Sequence, residues 1–297
     1  MRRAGILLSG AAVVLLGSAA TAWLVSAPRP LDPATLSALE GDAQRGETVF
    51  LAAGCGSCHM APEREADPLV LSGGREFASD FGTFIAPNIS PDPDFGIGGW
   101  TDSEFVNAVM RGIAPDGSHY YPAFPYTSYI RADPQDILDL YAFIQTLPLA
   151  AVPSQPHDLQ FPFSIRRMVG LWKSLYLDET WVVSGALTEQ EERGRYLSEA
   201  LAHCAECHTP RNALGALDRS QWHMGAPNPS GTGQIPALAG EAFSWDAFDI
   251  SAYLETGLTP EFDVVGGTMA QVVRNLQQLE KSELDAIAAY VLRAAPD

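Results

Sequence analysis

The sequence predicts a mainly α fold in which two tandem copies of one small domain follow an N-terminal membrane helix. Three observations carry this reading: a measurable internal repeat, apolar residues at helical spacing with no convincing alternating strand, and an uncharged stretch from Ala4 to Ala27. At 297 residues the chain suits two units of about 100 to 150 residues each. Hydrophobic residues at 46% and charged residues at 18% suffice to bury a core, while 22 Pro and 26 Gly supply turns without a low-complexity tract.

Arg2 and Arg3 precede the uncharged stretch, which includes Ile6-Leu7-Leu8 and Val13-Val14-Leu15-Leu16. A bilayer-spanning helix needs about 20 apolar residues, whereas a signal peptide has about 7 to 15 before small residues at a cleavage site. Ala20-Thr21-Ala22 and Ser26-Ala27 offer such residues, yet hydrophobicity resumes at Trp23, which suits a membrane interface. Residues 1–30 therefore read as a signal anchor or signal peptide, the uncleaved anchor being favoured, with the arginines cytoplasmic. Everything beyond is expected to be exported, giving a periplasmic protein anchored to the inner membrane through the N-terminal helix.

All four cysteines fall in two pentapeptides, Cys55-Gly56-Ser57-Cys58-His59 and Cys204-Ala205-Glu206-Cys207-His208. Two disulfides would be the ordinary expectation in an oxidising compartment. A pair separated by two residues and followed at once by His is instead the arrangement that attaches a c-type haem through two thioethers and supplies its iron ligand. One such pentapeptide fits a redox pair or part of a zinc site equally well; two, using every cysteine, point to haem. Cys55, Cys58, Cys204 and Cys207 are thus the attachment residues, His59 and His208 the proximal ligands, and two covalently bound haem c groups the cofactors.

The repeat is measured by counting. His59 to Pro87 is 28 positions, as is His208 to Pro236; Trp100 to Gly112 is 12, as is Trp245 to Gly257. Helical patterns keep the same register: around Arg45–Phe50 and Arg193–Leu197 ahead of the motifs, at Ser103–Met110 behind a cap at Thr101 or Ser103 and its counterpart Phe248–Thr256, and at Pro134–Leu147 and Ser282–Ala294. The fold class is therefore mainly α, two tandem class I cytochrome c domains after the N-terminal membrane helix. Domain 1 covers residues 31–150 and domain 2 residues 186–297. Between them, residues 151–185 form a linker with a short helix around Ile165–Lys173, either packed across both domains or lying on a membrane surface.

The sixth iron ligand separates the copies. Met269 lies 12 residues past Gly257, in the Gly-rich loop Val265-Gly266-Gly267-Thr268, and is the expected ligand of the second haem. The same count past Gly112 reaches Phe124, which cannot ligate iron. His119 is the candidate replacement, with Met110 on the preceding helix and an open or water-bound iron as alternatives; Met60 adjoins His59 and would have to cross the ring plane. His/Met ligation raises a haem potential, so the two haems are expected to differ. The carbonyls of Pro87 and Pro236 are placed to accept from the proximal imidazoles, Arg211 to meet a propionate, and His157, His203 and His223 read as ordinary polar residues.

Charge bounds the partners. Acidic residues number 36 against 18 basic ones, of which only Lys173 and Lys281 are lysines. Such a surface repels phosphate backbones, so nucleic acid is excluded, and it suits solubility or the steering of basic redox proteins.

With these residues in view, the sequence resembles the cytochrome c subunits of membrane-bound alcohol, aldehyde and gluconate dehydrogenases. The resemblance is carried by Ala86-Pro87-Asn88-Ile89-Ser90-Pro91-Asp92, Gly96-Ile97-Gly98-Gly99-Trp100, Pro115-Asp116-Gly117, Tyr121-Pro122-Ala123, Phe161-Pro162-Phe163-Ser164-Ile165-Arg166 and His208-Thr209-Pro210-Arg211-Asn212. It covers nearly the whole chain from about Gly46 onward. That family typically has three haem domains, and Met where Phe124 stands. The resemblance implies a dehydrogenase as electron donor and a respiratory acceptor, with substrate chemistry left to the partner subunit. The leading expectation is a periplasmic dihaem cytochrome c relaying electrons between a dehydrogenase and the respiratory chain; the alternative is a dihaem, peroxidase-like enzyme with an open first haem.

Overall fold

The computed structural model describes residues 14, 16–63, 67–229, 231, 233–241 and 243–294. In the first repeat, α1 (Ala43–Ala53) starts where the Asp42 side chain accepts from the amides of Gln44 and Arg45, and ends at the left-handed Gly54. The motif helix α2 (Cys55–His59) follows directly. A hairpin, β1 (Glu76–Ser79) and β2 (Gly82–Ile85), precedes α3 (Asp102–Arg111), whose Thr101 and Glu104 cap each other reciprocally. A short turn of helix, α4 (Tyr126–Tyr129), leads to α5 (Pro134–Ile144), capped by Asp133 with proline in its first turn.

The connector adds β3 (Asp158–Leu159) antiparallel to β2, and then α6 (Arg167–Tyr176). The second repeat holds α7 (Glu189–Arg195), the motif helix α8 (Ala205–His208), α9 (Ala247–Thr256), α10 (Met269–Leu276) and α11 (Lys281–Arg293). A second small ribbon pairs β4 (Ala226–Pro227) with β5 (Gln234–Ile235). The five short strands among the described residues went unread in the sequence because two to four residues are too few to display an alternating pattern.

Each repeat is closed by its first and last helices crossing at a glycine. A Cβ on Gly46 would lie 1.9 Å from the Asp139 carbonyl oxygen of α5, and one on Gly194 would lie 1.9 Å from that of Ala286 in α11. Gly194→Ala is therefore expected to destabilise by about 1 to 3 kcal/mol through overpacking, seen as a lowered unfolding midpoint. Asp139 reinforces the first crossing, accepting from the Asp42 amide at 2.8 Å and from Arg45 Nε at 2.6 Å.

From Gly46 to Cys55 is nine residues, but from Gly194 to Cys204 is ten. The extra residue is absorbed by a π-helical turn, Tyr196–Leu201, where the Ala202 amide bonds back five residues to the Leu197 carbonyl at 2.7 Å. That turn faces the first repeat. One contiguous apolar core joins Val49, Phe50, Ile137 and Tyr141 with Leu197, Leu201, Ile250 and Ile287. Helix α6 touches both repeats: Lys173 Nζ donates to the carbonyls of Arg111 and Gly112 at 2.6 and 2.7 Å, and Trp172 Nε1 donates to Leu214 O at 2.9 Å.

The expected N-terminal membrane helix is not supported. Among the described residues no helix is long and apolar enough to cross a membrane. The end of helical residues 16–25 is docked on protein: the Arg167 guanidinium lies 4.1 Å from the Trp23 ring centroid and donates to the Trp23 carbonyl, while Ser26 is buried. Residues 1–13 and 15 of the expected span lie outside the described residues.

Candidate haem centres

The two pentapeptides are held alike. His59 Nδ1 lies 2.9 Å from the Pro87 carbonyl oxygen and His208 Nδ1 lies 2.8 Å from that of Pro236. A carbonyl only accepts, so Nδ1 carries the proton and Nε2 keeps the lone pair that an iron requires. Each histidine's own carbonyl is held in turn, by the amide of Gly73 at 2.7 Å and that of Gly225 at 2.8 Å. Burial holds both imidazoles below the usual histidine range, which keeps them neutral, and the proline carbonyls oppose this only in part.

None of the four cysteines is in a disulfide. Burial pushes the Cys55 thiol up to about 12 and the Cys204 thiol to about 11. A redox pair needs the reverse, a depressed thiol that attacks as thiolate. Two open cysteines, two partly buried ones and an imidazole with a free Nε2 beside each pair suit thioether attachment of a haem.

The expected distal residues have different settings. Met269 opens α10 and packs partly buried against the core, so it is not in the flexible loop foreseen but fixed at a helix start. Phe124 sits among the rings of Tyr120, Tyr126 and Tyr129, with centroids 6.0, 6.4 and 5.9 Å away. Met110 is buried within α3. His119 is 3% exposed, and its Nε2 donates to the Ser26 carbonyl at 2.8 Å. Its ring abuts Gly170, where a Cβ would meet Nε2 at 2.7 Å. His119→Gln is therefore expected to leave the visible spectra of both haems unchanged; loss of a low-spin signal would show that His119 reaches iron.

Other residues gain structural occupations. His157 Nδ1 accepts from the Ile85 amide at 3.0 Å, pinning the connector to β2. Arg211 pairs with Glu206 and donates to the Gly215 carbonyl at 2.8 Å. His223 is fully buried and stacked on Trp222; burial first and nearby His208 second pull it down to about 3, so it stays neutral.

Sequence reading missed how the motifs meet. Ser57 and Glu206 occupy the same third position of their pentapeptides, and each binds the other repeat. Ser57 Oγ accepts from Asn275 Nδ2 of α10 at 2.8 Å, and Glu206 Oε1 accepts from Thr127 Oγ1 of α4 at 2.6 Å. The contact is reciprocal, as across a two-fold axis, and Arg75 Nη1 adds a clamp by donating to Ser57 O at 2.5 Å and Gln271 Oε1 at 3.1 Å. Although the Cys58 surface is open, the surrounding protein pushes its thiol up, and Cys207 across the interface adds to the rise. The only signal in the sequence was the repeat itself, which offers two similar surfaces to one another.

Paired helical units with equivalent CXXCH motifs, each imidazole oriented by a proline carbonyl, define a c-type haem protein with two centres. Residues 43–148 match the cytochrome c family. The chain is 52% identical to a dihaem cytochrome c-type protein of Cereibacter sphaeroides over 99% of its own length and 98% of the relative's. It belongs to the dihaem c-type cytochromes and carries two covalently bound haem c groups. It is also 36% identical to the fructose dehydrogenase cytochrome subunit of Gluconobacter japonicus and 31% to the cytochrome c subunit of the quinone alcohol dehydrogenase of Gluconobacter oxydans. These matches cover 90% and 84% of this chain but span only 55% and 54% of those subunits. The relationship to dehydrogenase cytochrome subunits makes electron transfer its function.

Proposed function

We propose that the protein is a periplasmic relay that takes electrons from a dehydrogenase at one haem, passes them to the other, and delivers them to the respiratory chain. Each haem iron supplies a one-electron couple; the chain supplies attachment, spacing and surroundings. In this reading Cys55, Cys58, Cys204 and Cys207 would form the thioethers, His59 and His208 would hold the irons through Nε2, and Met269 would supply its thioether to the second. The carrying observation is the reciprocal docking of the two motifs, in which Ser57 meets Asn275 and Glu206 meets Thr127 across the interface. The uncharged stretch behind Arg2 and Arg3 supports export, and the net charge of −18 favours a basic redox partner.

Deleting the gene in the organism that carries it, and following substrate-driven oxygen uptake by the membrane fraction, tests the relay. Uptake through one quinoprotein or flavoprotein dehydrogenase is expected to fall and to return with the purified protein. Unchanged uptake with every dehydrogenase substrate overturns the reading.

One observation favours a second reading, a dihaem enzyme with an open first iron. Phe124, at the position equivalent to Met269, offers no ligating atom and is surrounded by tyrosines. That reading expects a high-spin first haem and turnover with peroxide.

A further inference from the structure

In both repeats the residue just before the first cysteine has left-handed backbone, Gly54 at φ 64° and His203 at φ 43°. Glycine adopts that region without steric conflict, whereas a residue with a Cβ is strained there. The first repeat thus demonstrates that glycine serves this turn, and the second carries a strained histidine in its place. Strain of this kind persists where surrounding contacts over-determine it, and it clusters at functional positions.

The contacts around His203 belong to the other haem segment. Its ring stands edge-on to Tyr129, with centroids 5.8 Å apart and planes at 82°. Tyr129 Oη donates to the Ala53 carbonyl at 3.3 Å. Burial lowers the His203 imidazole below the usual histidine range, and Tyr129 links its ring to the Ala53 carbonyl. Ala53 stands two residues before Cys55, and His203 one before Cys204, so this contact joins the two attachment segments. Gly54 has no side chain to offer in the opposite direction.

We propose that His203 is a positioning residue: through its ring, Tyr129 and the Ala53 carbonyl it fixes the contact between the two haem-attachment segments and thereby sets the rate of electron exchange between the haems. The inference rests on the relay reading above. It explains why a glycine position carries histidine only on one side of an otherwise reciprocal interface.

The test is temperature-jump relaxation of the partly reduced holoprotein, comparing wild type with His203→Gly and His203→Asn. Glycine relieves the backbone strain, so the variant folds with both haems, and its exchange rate is expected to fall roughly tenfold, in the range that loss of a supporting contact around a metal site produces. Asparagine tolerates left-handed backbone and can donate, so it is expected to restore most of the rate. Wild-type exchange matched by His203→Gly, with both haems retained, overturns this proposal alone. Absence of exchange in the wild type overturns the relay reading and this proposal with it.

Discussion

Replacing Met269 by alanine is expected to lower the midpoint potential of one haem sharply while leaving the other where it was. Axial ligands tune haem potentials over roughly 0.8 V, and a thioether opposite histidine favours the reduced iron. Met269 opens α10, the helix whose Asn275 also reaches Ser57 of the first motif, so the sulfur is held by a fixed element of the fold. The two potentials of the wild type are expected to differ already, since the equivalent position holds Phe124. A redox titration monitored in the visible region reads both centres at once. Unchanged potentials in Met269→Ala, or two equal potentials in the wild type, would refute the assignment.

Removing the Glu199 carboxylate is expected to destabilise the protein by about 3 to 5 kcal/mol, the range for leaving buried partners unpaired. Glu199 has no exposed side-chain surface. It accepts from the Val182 and Val183 amides at 2.8 and 3.1 Å and from Tyr290 Oη at 2.6 Å, with Arg131 Nε of the first repeat 4.0 Å away. Burial, with Glu199 next in effect, pushes the Tyr290 hydroxyl far above its ordinary range, which keeps it a donor. One side chain thus ties the connector, the last helix and the domain interface together. Glu199→Ala in denaturant unfolding of the holoprotein measures the effect, and Glu199→Gln, which keeps an acceptor oxygen, is expected to lose less. A loss below about 1 kcal/mol, that of an ordinary hydrogen bond, would mean the cluster is incidental.

Several features legible in the chain concern short segments. The CXXCH motifs state their own chemistry because thioether attachment and ligation need those residue types within five positions. Thr101 with Glu104 announced a helix start because a capping box is local. Equal steps from His59 to Pro87 and from His208 to Pro236 foretold that both imidazoles would be oriented by a proline carbonyl, since the same covalent distance in the same fold gives the same approach. Where a segment's fate depended on what packs against it, the pattern misled. Residues 16–25 are apolar enough to suggest part of a membrane span, yet their end is docked on Arg167 and His119. His119 has the chemistry of an iron ligand, and its Nε2 donates to the Ser26 carbonyl.

Chain composition and spacing alone therefore establish two c-type haem sites in a mainly helical chain with an internal repeat, because covalent spacing and helical period are properties of contiguous residues. How the sites face one another was decided only in the folded molecule. Ser57 meets Asn275 across 218 residues, Thr127 meets Glu206 across 79, and a single inserted residue is absorbed as a π turn at their interface. No local period records such contacts, since they exist only once two apolar faces have been buried against each other and the polar groups at their rim must find partners.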